Sequence, residues 1–293
     1  MDRIEVLKTY KLYIGGQFPR TESGRYYSLQ NKKKQVIANV SLSSRKDFRN
    51  AVVAARSAFA SWSGKTAFNR GQIMYRIAEM LEGRKEQFIN ELITQGLEKK
   101  SAVIEVQKSI DRLIYYSGWC DKFQQCFSSV NPVSSSHFNF SVPEPMGVIA
   151  IVAPENSSLL GLISLMAPAI VGGNTCVILA SEKMPLCAVT LSEVLATSDL
   201  SGGVVNILTG KSSELHTHMA SHMDVNAVIY GRNNSAEEKA IAELASLNVK
   251  RVFFWNKKWE NEESENPYLI MDLQEIKTTW HPIEQSGSGA AKY

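Results

Sequence analysis

The stretch GVIAIVAPENSS, Gly147 to Ser158, is a run of small and β-branched apolar residues that stops at Pro154-Glu155-Asn156. A strand apolar along its whole length is buried on both faces, as in the parallel sheets of α/β proteins. Such sheets bind ligands at the carboxyl ends of their strands, so chemistry is expected where Glu155 and Asn156 stand. Downstream, further apolar runs alternate with helical patterns: TCVILA (175–180), VVNILTG (204–210), VNAVIYG (225–231) and VKRVFFW (249–255). Between the runs lie Leu159 to Val171, Pro185 to Thr197, a short helical piece, and Ser235 to Leu247. Strands alternating with helices over short connections predict an α/β, doubly wound, Rossmann-like parallel sheet of about five strands. From Asn256 the pattern fails. NKKWENEESENP (256–267) reads as a charged linker, and 268–293 as one or two final strands with a frayed tail.

Upstream, KLYIGGQFPRTESGRYYSL (11–29) reads as a β opening with turns at Gly15-Gly16 and Ser23-Gly24. Phe48, Ala51, Val52, Ala55, Phe59 and Trp62 recur at helical spacing behind Ser43-Ser44, a cap. Ile73, Ile77, Met80, Leu81, Phe88 and Leu92 make a second helical stripe, and Val103, Val106, Ile110, Leu113 and Ile114 a third. After the break SSVNPVSSS, the alternation from His137 to Val142 predicts a strand with one apolar face.

The net charge of +3 over 293 residues comes from mixed charges. The only basic run, Lys32-Lys33-Lys34, lies in a polar segment and reads as a solvated loop, so nucleic acid is not expected as a partner. The first ten residues carry charges and no apolar core, unlike a signal peptide. Leu159 to Val171 is too short to span a bilayer and contains Pro168. Cys120, Cys126, Cys176 and Cys187 form no CxxC pair and read as buried thiols of a reducing compartment, hence a soluble, cytoplasmic protein.

Gly172-Gly173 precedes a strand and is a turn, not a phosphate cradle. Gly231-Arg232-Asn233-Asn234-Ser235 follows a strand and opens a helix, where an anion could sit, but helix capping by Asn and Ser is the simpler reading. His216, His218 and His222 lack a carboxylate or thiolate at ligand spacing, so no metal is expected. Cys176 lies in a strand pattern and Cys187 in a helix pattern, where a thiol acts as a small hydrophobe rather than a nucleophile.

In order and spacing, several segments resemble the aldehyde dehydrogenases. YIGGQFPRTESGRYYSL is similar to their opening strands, and AVVAARSAFASWS and RIAEMLEGRKEQF to their first helices. YYSGWCDKF is similar to the helix before their oligomerisation hairpin, here placed near 130–146. EPMGVIAIVAPEN resembles the strand ending in Pro-Trp-Asn, and APAIVGGNTCVILASEKMP the strand reading Asn-Thr-Val-Val-Leu-Lys-Pro-Ala-Glu. GGVVNILTG, which carries Gly210, resembles the strand after that. The resemblance covers residues 10 to 255 and implies a coenzyme-binding domain over 1–255.

Its departures fall where the family does chemistry. Asn156 matches the oxyanion asparagine, while Glu155 replaces the tryptophan. Leu179 replaces the lysine that binds the coenzyme's ribose. Losing such a charge-assisted hydrogen bond, about 1.5 to 3 kcal/mol, implies roughly one to two powers of ten in affinity. Glu182 matches the ribose-binding glutamate but has lost that lysine as its partner. Ile229-Tyr230-Gly231-Arg232 stands where the family has Phe-Thr-Gly-Ser at the pyrophosphate. Trp255 occupies the general-base position, and no segment matches the catalytic domain with its nucleophilic cysteine. Glu275 to Thr279 resembles the family's closing strand, which pairs with the hairpin.

The whole resembles the truncated, catalytically incomplete second unit of the two-unit enzymes called family sixteen. The resemblance implies a pseudoenzyme without catalytic residues, kept as an oligomerisation or protein-interaction module. Its expected partner is a second copy, through the strand near Phe138 to Val142 and the tail strand Ile276 to Trp280, or a complete aldehyde dehydrogenase unit. No cofactor is expected. The alternative is weak NAD or NADP binding through Glu182, Asn156, Gly210 and Gly231, as an oxidoreductase fragment or regulatory unit. A third reading has Leu179 and Trp255 fill the old cleft. Glu155 either repels a pyrophosphate or caps a helix starting at Ser157.

Overall fold

A computed structural model describes residues 8–31 and 34–283. Lys32 and Lys33 of the basic run, the first seven residues and the expected frayed tail lie outside the described residues.

The chain opens with β1 (Thr9–Tyr10), β2 (Tyr26–Gln30) and β3 (Val36–Ser41), a small sheet in the order β1-β3-β2. Its turns use Gly15, Gly16 and Gly24 at positive φ, which only glycine adopts without strain. Helix α1 (Arg45–Ser63) starts at Ser44, whose side chain accepts from the Asp47 amide while Asp47 reaches back to the Ser44 amide, a complete capping box. The second predicted stripe divides into α2 (Ala67–Glu82) and α3 (Lys85–Thr94), because Gly83 caps the first helix and Arg84, at φ −113° and ψ 11°, leaves the helical region. Next comes α4 (Lys99–Ser117), and its buried stripe differs from the predicted one. Val103 and Ile114 are exposed, whereas Glu105, Ser109 and Arg112 are buried beside Val106, Ile110 and Leu113.

After α5 (Phe123–Phe127) come β4 (Ser129–Asn131) and β5 (His137–Pro145). The predicted apolar side of β5 is not its buried side. Asn139 is 3% exposed and accepts from the Asn131 side chain, while Phe138 is 45% exposed.

The central layer follows: β6 (Val148–Val152), α6 (Leu160–Val171), β7 (Thr175–Leu179), α7 (Leu186–Ala196), β8 (Val205–Leu208), α8 (Ser212–Ser221), β9 (Ala227–Tyr230), α9 (Ser235–Ser246) and β10 (Arg251–Phe254). Its five strands are all parallel, in the order β10-β9-β6-β7-β8. The segment then passes a 3-10 turn at Glu262–Ser264 and α10 (Tyr268–Met271) to reach β11 (Gln274–Pro282).

One apolar cluster joins α2, α4 and α6 to one face of the central sheet, and a second joins α1, α8 and α9 to the other. All twelve residues of α6 are buried. The stretch after Asn256 is docked in spite of its charge. Arg112, buried in α4, donates to Ser164 of α6, to the Trp259 and Ser264 carbonyls, and to Glu265 at 2.6 Å. Strand β11 then pairs antiparallel with β5 along its full length, from Gln274↔Pro145 to Pro282↔His137. Both edges of β5 are thus used within the chain, by β4 and β11, so the edges left for a partner belong to β4 and β11.

Candidate functional site

Strand β6 sits at the centre of the sheet, with β7 and β8 wound to one side and β9 and β10 to the other. This reversal is the switch point at which doubly wound sheets open a crevice beyond the strand ends. Three charged residues stand there, each shortly after a strand: Glu155 after β6, Glu182 after β7 and Arg232 after β9. Gly231 lets this happen. Its amide bonds the Val152 carbonyl at 2.9 Å, and a Cβ there would stand 2.9 Å from Leu165 and 3.0 Å from the Val152 oxygen.

Arg232 lies across the three strand ends. Its Nε donates to the Ala153 carbonyl at 3.0 Å, Nη1 to Glu182 Oε1 at 3.0 Å, and Nη2 to the Ala180 carbonyl at 3.2 Å. Nη2 also lies 2.8 Å from Glu155 Oε1. The arginine side chain is 10% exposed, against 22% for Glu155 and 32% for Glu182. Glu182, expected to lack a lysine partner, pairs with Arg232. It also accepts from the Ser212 amide at the start of α8.

Glu155 caps no helix at Ser157. It accepts from Ser181 Oγ at 2.8 Å and from the amides of Glu182 and Lys183 at 3.0 and 3.1 Å, holding the turn after β7. The start of α6 is capped instead by Glu105, a residue no sequence pattern marked. Its Oε1 accepts from Ser157 Oγ at 3.0 Å and from the amides of Leu159 and Leu160 at 2.9 and 3.3 Å. Burial pushes its pKa above the ordinary carboxylate value despite these hydrogen bonds, which pull it down.

The amides at the start of α9 are taken as well. Asn234 Oδ1 accepts from Ala236 and Glu237, as the capping reading expects. The Glu237 carboxylate sits in the same first turn, holding Tyr230 Oη at 2.7 Å and Ser212 Oγ at 2.6 Å. Burial, then the bond to Glu237, raises the Tyr230 pKa. Gly210 turns the chain after β8 against Ser43.

Asn156 is exposed. It borders a cavity of about 540 Å³ shared with Glu155, Tyr230, Arg232 and Glu237. It also borders one of about 240 Å³ beside Glu105 and Trp259, whose buried indole N–H has no partner. Leu179 and Trp255 do not fill one cleft together. Leu179 is buried in the cluster under α1 and α8, and Trp255 on the opposite face of the sheet against Phe253, ring centroids 5.4 Å apart.

Cys120, Cys176 and Cys187 are buried, and Cys126 is exposed, contrary to the reading of all four as buried. Burial pushes the Cys120 thiol up to about 12 and raises those of Cys176 and Cys187 further. Among the described residues no three His, Cys, Asp or Glu side chains gather as a metal site, and no helix is long and apolar enough to cross a membrane.

A parallel sheet wound both ways around β6, with its crevice at the switch point, is a coenzyme-binding architecture of the Rossmann kind. Residues 18–254 match the model of the aldehyde dehydrogenase family, and the chain belongs to that family. It is 32% identical over 249 residues to the cytosolic 10-formyltetrahydrofolate dehydrogenase of Mus musculus, covering 83% of this chain and 28% of that protein. With the omega-crystallin of Enteroctopus dofleini it shares 30% identity over 251 residues, 84% of this chain and 50% of the relative. The NAD+ complex of the Bacillus cereus aldehyde dehydrogenase superposes with a TM-score of 0.80 at 26% identity, over 84% of this chain and 50% of that one. The chain thus spans half or less of these relatives' length.

Proposed function

We propose that the chain acts as a non-catalytic assembly or protein-interaction module of the aldehyde dehydrogenase family, in the cytosol, with a second copy or a complete family member as partner. The observation that carries this reading is the Glu155–Arg232–Glu182 network. An NAD or NADP pyrophosphate at the switch point needs free amides or an unneutralised cation. Here Asn234 caps the α9 amides, Glu237 adds a negative charge beside them, and Arg232 is matched by two carboxylates. Leu179 offers the ribose no donor. These residues do not fit a dinucleotide, and no lysine, thiolate or carboxylate stands at the family's catalytic positions as the resemblance places them.

Calorimetric titration with NAD and NADP tests the reading. No saturable binding tighter than about 1 mM, near 4 kcal/mol, is expected. Micromolar binding would overturn it in favour of a regulatory coenzyme-binding unit, for which the retained Asn156, Glu182 and Gly210 speak.

A further inference from the structure

On the outer flank of the α1–α8 layer, the first turns of α1 meet the last turn of α8. Arg45, Phe48 and Arg49 face His218, Ser221 and His222 around a cavity of about 250 Å³. No carboxylate lines it. The side chains of Arg45 and Arg49, one helical turn apart on one face of α1, make no ion pair or hydrogen bond with the described residues, among which fourteen ion pairs form elsewhere.

The lining is also held in place. His222 packs edge-on against buried Phe48, ring centroids 5.8 Å apart. Its Nδ1 accepts from the Asp224 amide at 3.2 Å, which fixes the proton of the neutral ring on Nε2 and makes that nitrogen a donor. Lys250 adds a further cation from behind, its Nζ bonding the carbonyls of His222 and Val225 at 2.7 Å each. Arg56, farther along α1, holds the Asp224 carbonyl and Asn226. Around this cavity the only carboxylate set against these cations is Asp224, since Glu22 is paired with Lys46 and Glu214 with Arg25. Burial and the neighbouring arginines hold the pKa of His218 and His222 below the usual histidine value, and Lys250 adds to the effect at His222.

We infer that this cavity is a binding site for a phosphoryl group, held between the guanidiniums of Arg45 and Arg49 with the imidazoles of His218 and His222 as further donors. Two arginines at this spacing suit a dianion's tetrahedral oxygens better than a single carboxylate. The volume admits one or two phosphoryl groups and is below what a whole nucleotide or drug-sized ligand needs. The site shares no lining residue with the switch-point crevice.

The test is calorimetric titration of the full chain at low salt with two probes, pyrophosphate and glycerol 3-phosphate. Saturable binding with a Kd at or below about 1 mM is expected near pH 7, where the phosphoryl probes are largely dianionic, weakening as salt is added. Arg45→Gln and Arg49→Gln should each weaken it about tenfold or more, while Arg76→Gln, on α2 across the sheet, should not. Bound anion should also raise the pKa of His218 and His222, read from their ring resonances by NMR. Tighter pyrophosphate binding assigns the free anion as the ligand, and tighter glycerol 3-phosphate binding assigns a phosphate ester. Absence of saturation by either probe, or equal affinity in the Arg45→Gln/Arg49→Gln double variant, overturns the inference.

Discussion

Arg232 and Glu105 each solve a local problem of burial. Arg232 brings a positive charge to a place where two carboxylates and two strand-end carbonyls converge. Arg232→Ala leaves those oxygens facing one another, at a cost of about 2 to 4 kcal/mol, toward the low end for a broken buried pair because Glu182 is partly solvated. In a chain of this size thermal unfolding should fall by roughly 3 to 7 °C. Glu105 behaves differently. Burial makes the folded state hold its proton more tightly than the unfolded chain does. Its contribution to stability is therefore complete below the unfolded value of about 4.3 and is lost as pH rises through the raised folded-state value. Glu105→Gln keeps an acceptor for α6 and is expected to remove that slope, matching or exceeding the parent's stability at pH near 7.5 in urea titrations. Glu105→Ala orphans three donors and should cost about 2 to 4 kcal/mol at low pH, and less as pH rises through the raised value. Neither role was visible in the sequence. In the sequence Glu155, Glu182 and Arg232 stand at three separate family positions, though each lies two or three residues past an apolar strand. Such charges meet when the strands are neighbours, and that adjacency is a property of the sheet order, not of local pattern.

At the level of elements, the five parallel strands were legible because a strand buried on both faces leaves a continuous apolar run, the least ambiguous of strand signals. Helix boundaries were less so. The interval from Leu81 to Phe88 preserves helical phase across Gly83-Arg84, so the pattern alone joins α2 to α3. In β5 the alternation showed which residues share a side but not which side is covered. The chain covers the Asn139 side and leaves Phe138 open. Strand β11 supplies the second edge of β5, and Asn174 Nδ2 bonds the Leu273 carbonyl just before it, at 2.9 Å. A chain ending at Asp272 loses this pairing along the whole of β5 and frees an unsatisfied edge. It is expected to aggregate, seen as rising light scattering at micromolar concentration, whereas removal of residues 284–293 should not have this effect.

For the molecule as a whole, the three-stranded sheet offers a shallow apolar groove lined by Val130, Phe138, Phe140 and Val142, with Ile276 and Trp280 exposed on its other face. Exposed apolar side chains grouped on an edge sheet are what an association surface needs. Phe138→Asp should lower the sedimenting mass, or prevent complex formation with a complete aldehyde dehydrogenase chain, while leaving the unfolding midpoint within about 1 kcal/mol of the parent. Unchanged assembly in that variant would move the surface elsewhere. The clasp at the switch point has a consequence for descent. Losing the arginine first leaves two carboxylates and two carbonyl oxygens facing one another, whereas losing either acid first leaves a matched pair. The order of change is therefore one-sided: among relatives the arginine should disappear only after or together with an acid, and a sequence that keeps both acids without it is not expected.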